Sequence, residues 1–95
     1  MARVRTHPGV VLREELRARE MSANQLALAI RVPANRITSI MRGDRAISAE
    51  TALRVGRYLG TGPEFWMNLQ SRHDVSVVIS ERGELIEEEV PVAAT

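Results

Sequence analysis

The sequence contains neither cysteine nor lysine, and only one residue each of Trp, Tyr and Phe among its 95 positions. The absence of cysteine excludes disulfide bonds, thiolate nucleophiles and thiolate metal ligands. No apolar run is long enough to cross a bilayer, and the start MARVRTHPG lacks the hydrophobic region of a signal peptide. With 44% apolar residues, we expect one small cytoplasmic domain.

The thirteen basic residues are all arginine, and the charge is unevenly distributed along the chain. Residues 1–60 carry 11 arginines against 5 acids, whereas residues 61–95 carry 2 arginines against 7 acids. A planar guanidinium can bind a phosphate or a guanine through two hydrogen bonds. This pattern indicates nucleic acid as the partner of the first part of the chain and a different role for the second.

The stretch 22–43 predicts two short helices joined by a tight turn. Ser22 can cap the first helix, in which Leu26, Ala27 and Ile30 share one face. Pro33 interrupts this helix, because proline disfavours helical geometry at the preceding residue and favours the first turn of a new helix. The second helix has an apolar stripe formed by Ile37, Ile40 and Met41.

The side of the second helix opposite this stripe is polar. It carries Asn35, Ser39 and Arg42, with Arg36 and Thr38 on the flanks. Amide, hydroxyl and guanidinium groups without a carboxylate suit base edges and phosphates. A helical hairpin with a solvated polar face is the alternative, and the rest of the sequence favours DNA binding.

Two further helices surround this pair. The first is predicted from Thr6-His7-Pro8-Gly9 to about Arg19, and the second from Ala49 to about Leu59, after a cap at Ser48 and before a stop at Gly60. The inner face of the first comprises Val11, Leu12 and Leu16, and that of the second Ala52, Val55, Gly56 and Leu59. Gly56 predicts a close approach of another helix.

The sequence Thr61-Gly62-Pro63-Glu64 matches a capping box and predicts a fifth helix. Phe65, Trp66 and Leu69 are its expected core anchors. From Asp74 onward helical spacing competes with strand alternation, which would place a turn at Arg82-Gly83. We expect the helix to end at about Ile79, before the acidic run Glu84 to Glu89.

The sequence offers no metal site and no catalytic motif. His7 and His73 are the only histidines, and neither lies at a metal-ligand spacing from other donors. A nucleophile, general base and orienting group do not occur at motif spacing, so we expect no enzyme and no cofactor. His7 is interpreted as a capping or surface residue, and Met1 to Arg5 as a mobile basic arm that could add phosphate contacts.

The motifs THPG followed by LREEL, SANQLA from Ser22, VP with NRI from Val32, and GPEFWMNLQ from Gly62 are specific and span most of the chain. On these residues the sequence resembles the HigA antitoxins, the VapI-type branch of the XRE helix-turn-helix family. The resemblance implies an all-α, five-helix, lambda-repressor-like domain over residues 1–79, with an acidic C-terminal tail over residues 80–95. It also implies a homodimer that binds operator DNA, represses its own toxin-antitoxin operon and neutralises a RelE-like mRNA endoribonuclease.

The resemblance and the helical geometry together assign roles in DNA binding. The base-reading positions implied are Ala34, Asn35, Thr38 and Ser39. The expected phosphate contacts are Asn24, Gln25, Arg42 and Arg45, with Arg36 able to reach either a base or a phosphate.

Two residues depart from the family pattern, because Arg31 stands where the turn normally has glycine and Leu28 leaves an apolar side chain without cover. Two alternative functions stay open. One is a stand-alone helix-turn-helix regulator without a toxin, and the other is a helical adaptor that binds protein through the acidic run Glu84 to Glu89.

Overall fold

Five helices make up the fold of residues 3–94, the part of the chain that the computed structural model describes, and no strand occurs among these residues. The predicted all-α, five-helix class is therefore confirmed. The bounds of the helices are α1 Pro8–Ala18, α2 Ala23–Ile30, α3 Ala34–Met41, α4 Ala49–Leu59 and α5 Pro63–Glu89. None of the described helices has the length and apolar content needed to cross a bilayer.

The core lies between α1 to α4 and the first half of α5. Trp66 is completely buried at its centre, and Ile47 is the one residue of the α3–α4 loop that reaches it. Burial of such side chains stabilises the fold by roughly 1.5–3 kcal/mol each. The other core members agree with the predicted inner faces: Leu12, Leu16, Leu26, Ala27, Ile30, Ile37, Ile40, Ala52, Val55 and Leu59.

The helix ends follow the predicted capping chemistry in α2 and α4. The Ser22 hydroxyl accepts from the Gln25 N–H at 3.0 Å, and the Gln25 Oε1 accepts from the Ser22 N–H at 2.8 Å, which completes a capping box. The Ser48 hydroxyl accepts from the Thr51 N–H at 3.2 Å. Gly60 ends α4 at φ 79°, a left-handed conformation that suits glycine.

The start of α5 corrects one prediction. Gly62 is the N-cap and no side chain caps it, so the capping box expected from Thr61 to Glu64 does not form. The Thr61 hydroxyl instead accepts a 2.7 Å hydrogen bond from the indole N–H of Trp66, because that buried donor needs a partner. Phe65 is 42% exposed and is therefore not a core anchor, although its ring contacts that of Trp66 edge-to-face.

The close approach expected at Gly56 is confirmed, although its neighbour is the chain entering α5 and not the side of a helix. A Cβ at this position would overlap the backbone of Gly62 and Pro63. The glycine therefore lets α4 lie directly against the first turn of α5.

The second half of α5 is longer than predicted. The helix runs to Glu89, ten residues past Ile79, and passes through Arg82 and Gly83 without a turn. The apolar residues after Asp74 fit both a helix and a strand. The helix forms because its buried first half has already nucleated it, and adding residues to an existing helix is favourable. The division into a domain over residues 1–79 and a tail over residues 80–95 stays a prediction.

Candidate nucleic-acid interface

Helix α3 is held firmly from its inner side. Ile37 and Ile40 are buried, and α1 touches its C-terminal end so closely that a Cβ at Gly9 would overlap the carbonyl oxygen of Ile40. The guanidinium of Arg13 donates to the Met41 carbonyl at 3.0 Å. Contacts from α1 therefore fix the direction in which the outer face of α3 points.

The outer face of α3 presents short polar side chains. Asn35 is exposed, whereas Ala34, Thr38 and Ser39 are partly exposed. Asn35 and Ser39 lie one turn apart, so both can face one groove. The Thr38 hydroxyl donates to the Asn35 carbonyl at 3.2 Å, which leaves its methyl group and lone pairs for a partner. The structure brings the predicted base-reading residues onto one surface, and their contacts with bases stay a prediction.

The N-terminal turn of α2 holds the first pair of predicted phosphate contacts, Asn24 and Gln25, both of which are exposed. The capping box uses the carbonyl oxygen of the Gln25 side chain and so turns its amide nitrogen away from Ser22. Free N–H groups and the positive end of the helix dipole make such a terminus attractive to an anion.

The exit of α3 holds a carboxylate that the sequence analysis did not consider. Arg42 donates to the Asp44 carboxylate at 3.1 Å, and both side chains are more than half exposed. An exposed pair of this kind contributes at most about 1 kcal/mol. A DNA phosphate can therefore replace Asp44 at little cost, although the acid lowers the positive charge that Arg42 offers.

Arg36 and Arg45 line a common groove between α3 and the start of α4, together with Ser48 and Glu50. Their proximity was not predictable from sequence spacing, since one lies on α3 and the other in the following loop. The arrangement places Arg36 beside a predicted phosphate contact and not at the centre of the outer face of α3.

Gln70 of α5 supports the loop that carries Arg45. Its side-chain oxygen accepts from the Ile47 N–H at 2.7 Å, and its amide donates to the Asp74 carboxylate at 2.9 Å. Only 5% of Gln70 is exposed. This role is not evident from the sequence, in which the one available signal is a polar residue at a core position of α5.

Three arginines serve the fold by donating to carbonyl groups at helix C-termini. Besides Arg13 at the end of α3, Arg54 donates to the Ile30 carbonyl at 2.9 Å and Arg19 to the Leu59 carbonyl at 3.2 Å. Cations are favourable at these ends of the helix dipole. Part of the basic excess of residues 1–60 therefore has a structural role.

The turn between α2 and α3 places a non-glycine residue in a conformation that favours glycine. Arg31 has φ 61° and ψ 48°, which is a left-handed conformation. A residue with a Cβ pays about 1–2 kcal/mol there. Leu28 is 73% exposed, so the absence of cover expected for it is confirmed.

The N-terminal segment is tied to α5 from Arg5 onward, which corrects the expectation of a mobile arm for that residue. The Arg5 N–H donates to Ser76 at 2.8 Å, and its carbonyl lies 2.7 Å from the Nδ1 of His73. These bonds hold the backbone, whereas the guanidinium stays exposed. Met1 and Ala2 lie outside the described residues.

His7 caps α1, as predicted, by accepting from the Gly9 N–H at 2.9 Å. Its ring contacts that of His73 edge-to-face at 4.8 Å between centroids. Burial and the neighbouring His73 lower the pKa of His7 below its ordinary value of 6.5, against a smaller opposing effect of Asp74. No group of three or more possible metal ligands occurs within residues 3–94.

Comparisons with known proteins agree with this geometry. A family model described as helix-turn-helix matches residues 12–66. Virulence-associated protein I of Dichelobacter nodosus is 44% identical over 72 residues, which are 75% of this chain and 67% of that protein.

Two solved structures extend the likeness to almost the whole chain. An addiction module antidote protein of the HigA family from Coxiella burnetii has a TM-score of 0.91 and 46% identity, over 96% of this chain and 100% of that one. The Pseudomonas aeruginosa antitoxin HigA, solved with the higBA promoter, has a TM-score of 0.88 and 41% identity, over 93% and 98%. The predicted resemblance to HigA antitoxins is confirmed.

Proposed function

We propose, since this chain belongs to the helix-turn-helix family, that it is a sequence-specific DNA-binding antitoxin of the cytoplasm. It represses its own toxin-antitoxin operon and neutralises a RelE-like mRNA endoribonuclease. The observation that carries the DNA-binding part is the outer face of α3, where Asn35 and Ser39 project from a helix that α1 holds in place. The similarity to a HigA antitoxin that was solved with its promoter supports DNA binding.

The place of each residue on the outer face of α3 determines whether we propose that it contacts bases or phosphates. Residues at the centre of the outer face of α3 read bases in the major groove: Ala34, Asn35, Thr38 and Ser39. Residues at the edges of this face hold phosphates: Asn24, Gln25, Arg42 and Arg45. We assign Arg36 to the residues that contact phosphates, because it lines the same groove as Arg45.

The proposed operator is a pseudo-palindrome read by a two-fold homodimer. One recognition helix covers only a few base pairs, and small helix-turn-helix proteins gain specificity by duplication, with half-sites roughly 34 Å apart. Light scattering at micromolar protein checks this. A monomer that occupies one half-site at a time would contradict it.

The proposed toxin surface is the side of α5 that bears Glu84 and Glu88. At 100° per residue both lie on the side opposite Ile79 and Ile86, and both are exposed. A nuclease that cuts RNA must present positive charge, so this surface offers complementarity. The double variant Glu84→Arg, Glu88→Arg should neutralise a co-expressed toxin less well and still repress the operon. Unchanged neutralisation would show that the toxin does not bind this surface.

Selection of DNA from a random pool by the purified protein tests the function as a whole. The proposal expects a pseudo-palindromic sequence, bound with an affinity that falls steeply as salt rises. Recovery of unenriched DNA, with no dependence on salt, would instead favour the protein-binding adaptor.

A further inference from the structure

A cavity of about 430 Å³ opens between the C-terminal end of α2 and the second half of α4. Its volume lies within the usual range of small-molecule sites, roughly 300–1,000 Å³. None of the six residues that line it is acidic: Ala29, Ile30, Arg31, Arg54, Arg57 and Tyr58. We call it the α2–α4 pocket.

Three guanidinium groups border this pocket. Arg57 and Tyr58 follow Arg54 by three and four residues, so the three side chains lie on the same side of α4. Arg31 borders the pocket from the C-terminal end of α2. Within residues 3–94, the pair of Arg54 with Glu50 is the only ion pair that any of the three arginines makes. Two positive charges at the pocket are therefore not neutralised.

The guanidinium of Arg54 is already held in position. Its Nη1 donates to the Ile30 carbonyl at 2.9 Å, and its Nε donates to the Glu50 carboxylate at 3.3 Å. Neither bond uses Nη2, which stays available to a ligand. Because this side chain has lost its rotamer freedom before any ligand arrives, binding an anion here costs little further entropy.

The backbone of Arg31 is a second and independent indication of a ligand. Its φ of 61° is a conformation that favours glycine, so the arginine side chain is carried at a cost in strain. The favourable effect of a cation at the end of a helix is smaller than this strain and does not account for it. Non-glycine residues held in such conformations cluster at ligand clamps and switch regions.

The ring of Tyr58 narrows the choice of anion. It is 48% exposed and forms one wall of the pocket. Guanidinium groups bind phosphate through paired hydrogen bonds, and an exposed aromatic ring can stack on a planar base. A phosphorylated molecule with a planar ring satisfies both features, whereas an inorganic anion satisfies only the arginines.

We propose that the α2–α4 pocket binds a free nucleotide, with its phosphate groups held by Arg31, Arg54 and Arg57 and its base stacked on Tyr58. The pocket is separate from the predicted DNA surface. Asn24 lies six residues before the pocket end of α2, which is about 9 Å along the helix axis. A bound nucleotide therefore leaves the outer face of α3 free and touches the turn from which α3 begins.

Isothermal titration calorimetry of the full chain with ATP, pyrophosphate and adenosine tests this assignment. ATP should bind once per chain with a dissociation constant below about 1 mM. Pyrophosphate should bind more weakly because it cannot stack on Tyr58, and adenosine should not bind measurably because it has no phosphate. Amide NMR shifts caused by ATP should centre on Arg31 and Tyr58.

Arg31→Gly separates binding from folding. It removes one guanidinium and relieves the strain, so the protein should be at least as stable as the wild type and yet bind ATP about tenfold or more weakly. Arg57→Gln should weaken ATP similarly, whereas Tyr58→Leu should weaken ATP and leave pyrophosphate unchanged. Arg17→Gln is the matched control, because Arg17 is an exposed arginine of α1 that does not line the pocket, and it should leave both affinities unchanged.

Three results would overturn the proposal: a lack of saturable ATP binding in this range, an unchanged ATP affinity in Arg31→Gly, or an equal loss in Arg17→Gln. Amide shifts that centre on Asn35 and Arg45 would also overturn it, because ATP would then bind only as a polyanion on the predicted DNA surface. A Tyr58→Leu protein that keeps its full affinity for ATP would contradict the role of the ring and hence the choice of a nucleotide.

Discussion

Replacement of Gln70 by leucine tests whether α5 holds the α3–α4 loop in place. The side chain keeps its approximate size but loses the acceptor for the Ile47 N–H, whose 2.7 Å hydrogen bond is buried. An unsatisfied buried donor costs about 1–3 kcal/mol. For a domain of this size, each kcal/mol lowers the melting temperature by about 4–8 °C.

Urea and thermal unfolding at one fixed protein concentration measure the effect. Asp74→Ala is the control, because it removes the other partner of Gln70 and leaves the Ile47 bond intact. Asp74 is exposed, so water can replace its carboxylate as the acceptor for the Gln70 amide, and its loss should lower the free energy of unfolding by less than the loss of the buried Ile47 bond does. A Gln70→Leu protein as stable as the wild type, or a larger loss from Asp74→Ala, would refute the reasoning.

Two further predictions concern strain and pH. Arg31→Gly should raise the free energy of unfolding by about 1 kcal/mol, because glycine relieves the left-handed strain of about 1–2 kcal/mol at the small entropic cost of its freer unfolded state. Urea unfolding checks this, with Arg31→Ala as the control: alanine keeps the Cβ and its strain, so this variant should gain nothing. The lowered pKa of His7 means that the unfolded chain binds its proton more readily, so stability is present above pH 6.5 and falls as the pH drops through and below that value. His7→Asn keeps an acceptor for the Gly9 N–H and removes the titrating ring. Its melting temperature should therefore fall less than that of the wild type between pH 7.5 and 5. An equal fall in both proteins would exclude His7 as the source of the pH dependence.

The sequence predicts the five helices well where local chemistry determines the structure. Ser22, Ser48 and Gly60 act through their own backbone or that of residues a few positions away, and so their capping roles are visible in the sequence. The capping box at Thr61 failed because a buried indole elsewhere on the helix takes the hydroxyl group. Such competition depends on burial, which spacing alone does not report.

Long-range contacts account for most of what the sequence analysis missed. The sequence shows only excess positive charge at three arginines that the fold brings to the C-terminal carbonyl groups of other helices: Arg13, Arg19 and Arg54. Gln70 likewise acquires its role only when α5 meets the α3–α4 loop. The predicted end of α5 at Ile79 lies ten residues too early. The sequence from Asp74 onward also fits strand alternation with a turn at Arg82-Gly83, and spacing alone does not decide between the two.

The central claim is that Asn35 reads a base and does not merely add affinity. Its most direct test compares Asn35→Ala with Arg45→Ala on the selected operator and on random DNA, across a series of salt concentrations. Asn35→Ala should cost about 1–3 kcal/mol on the operator, relax preference at one base pair and leave the salt slope unchanged. Arg45→Ala should weaken both DNAs alike and reduce the salt slope by about one. If Asn35→Ala weakens operator and random DNA equally and makes the salt slope shallower, the assignment of α3 as the base-reading element is contradicted.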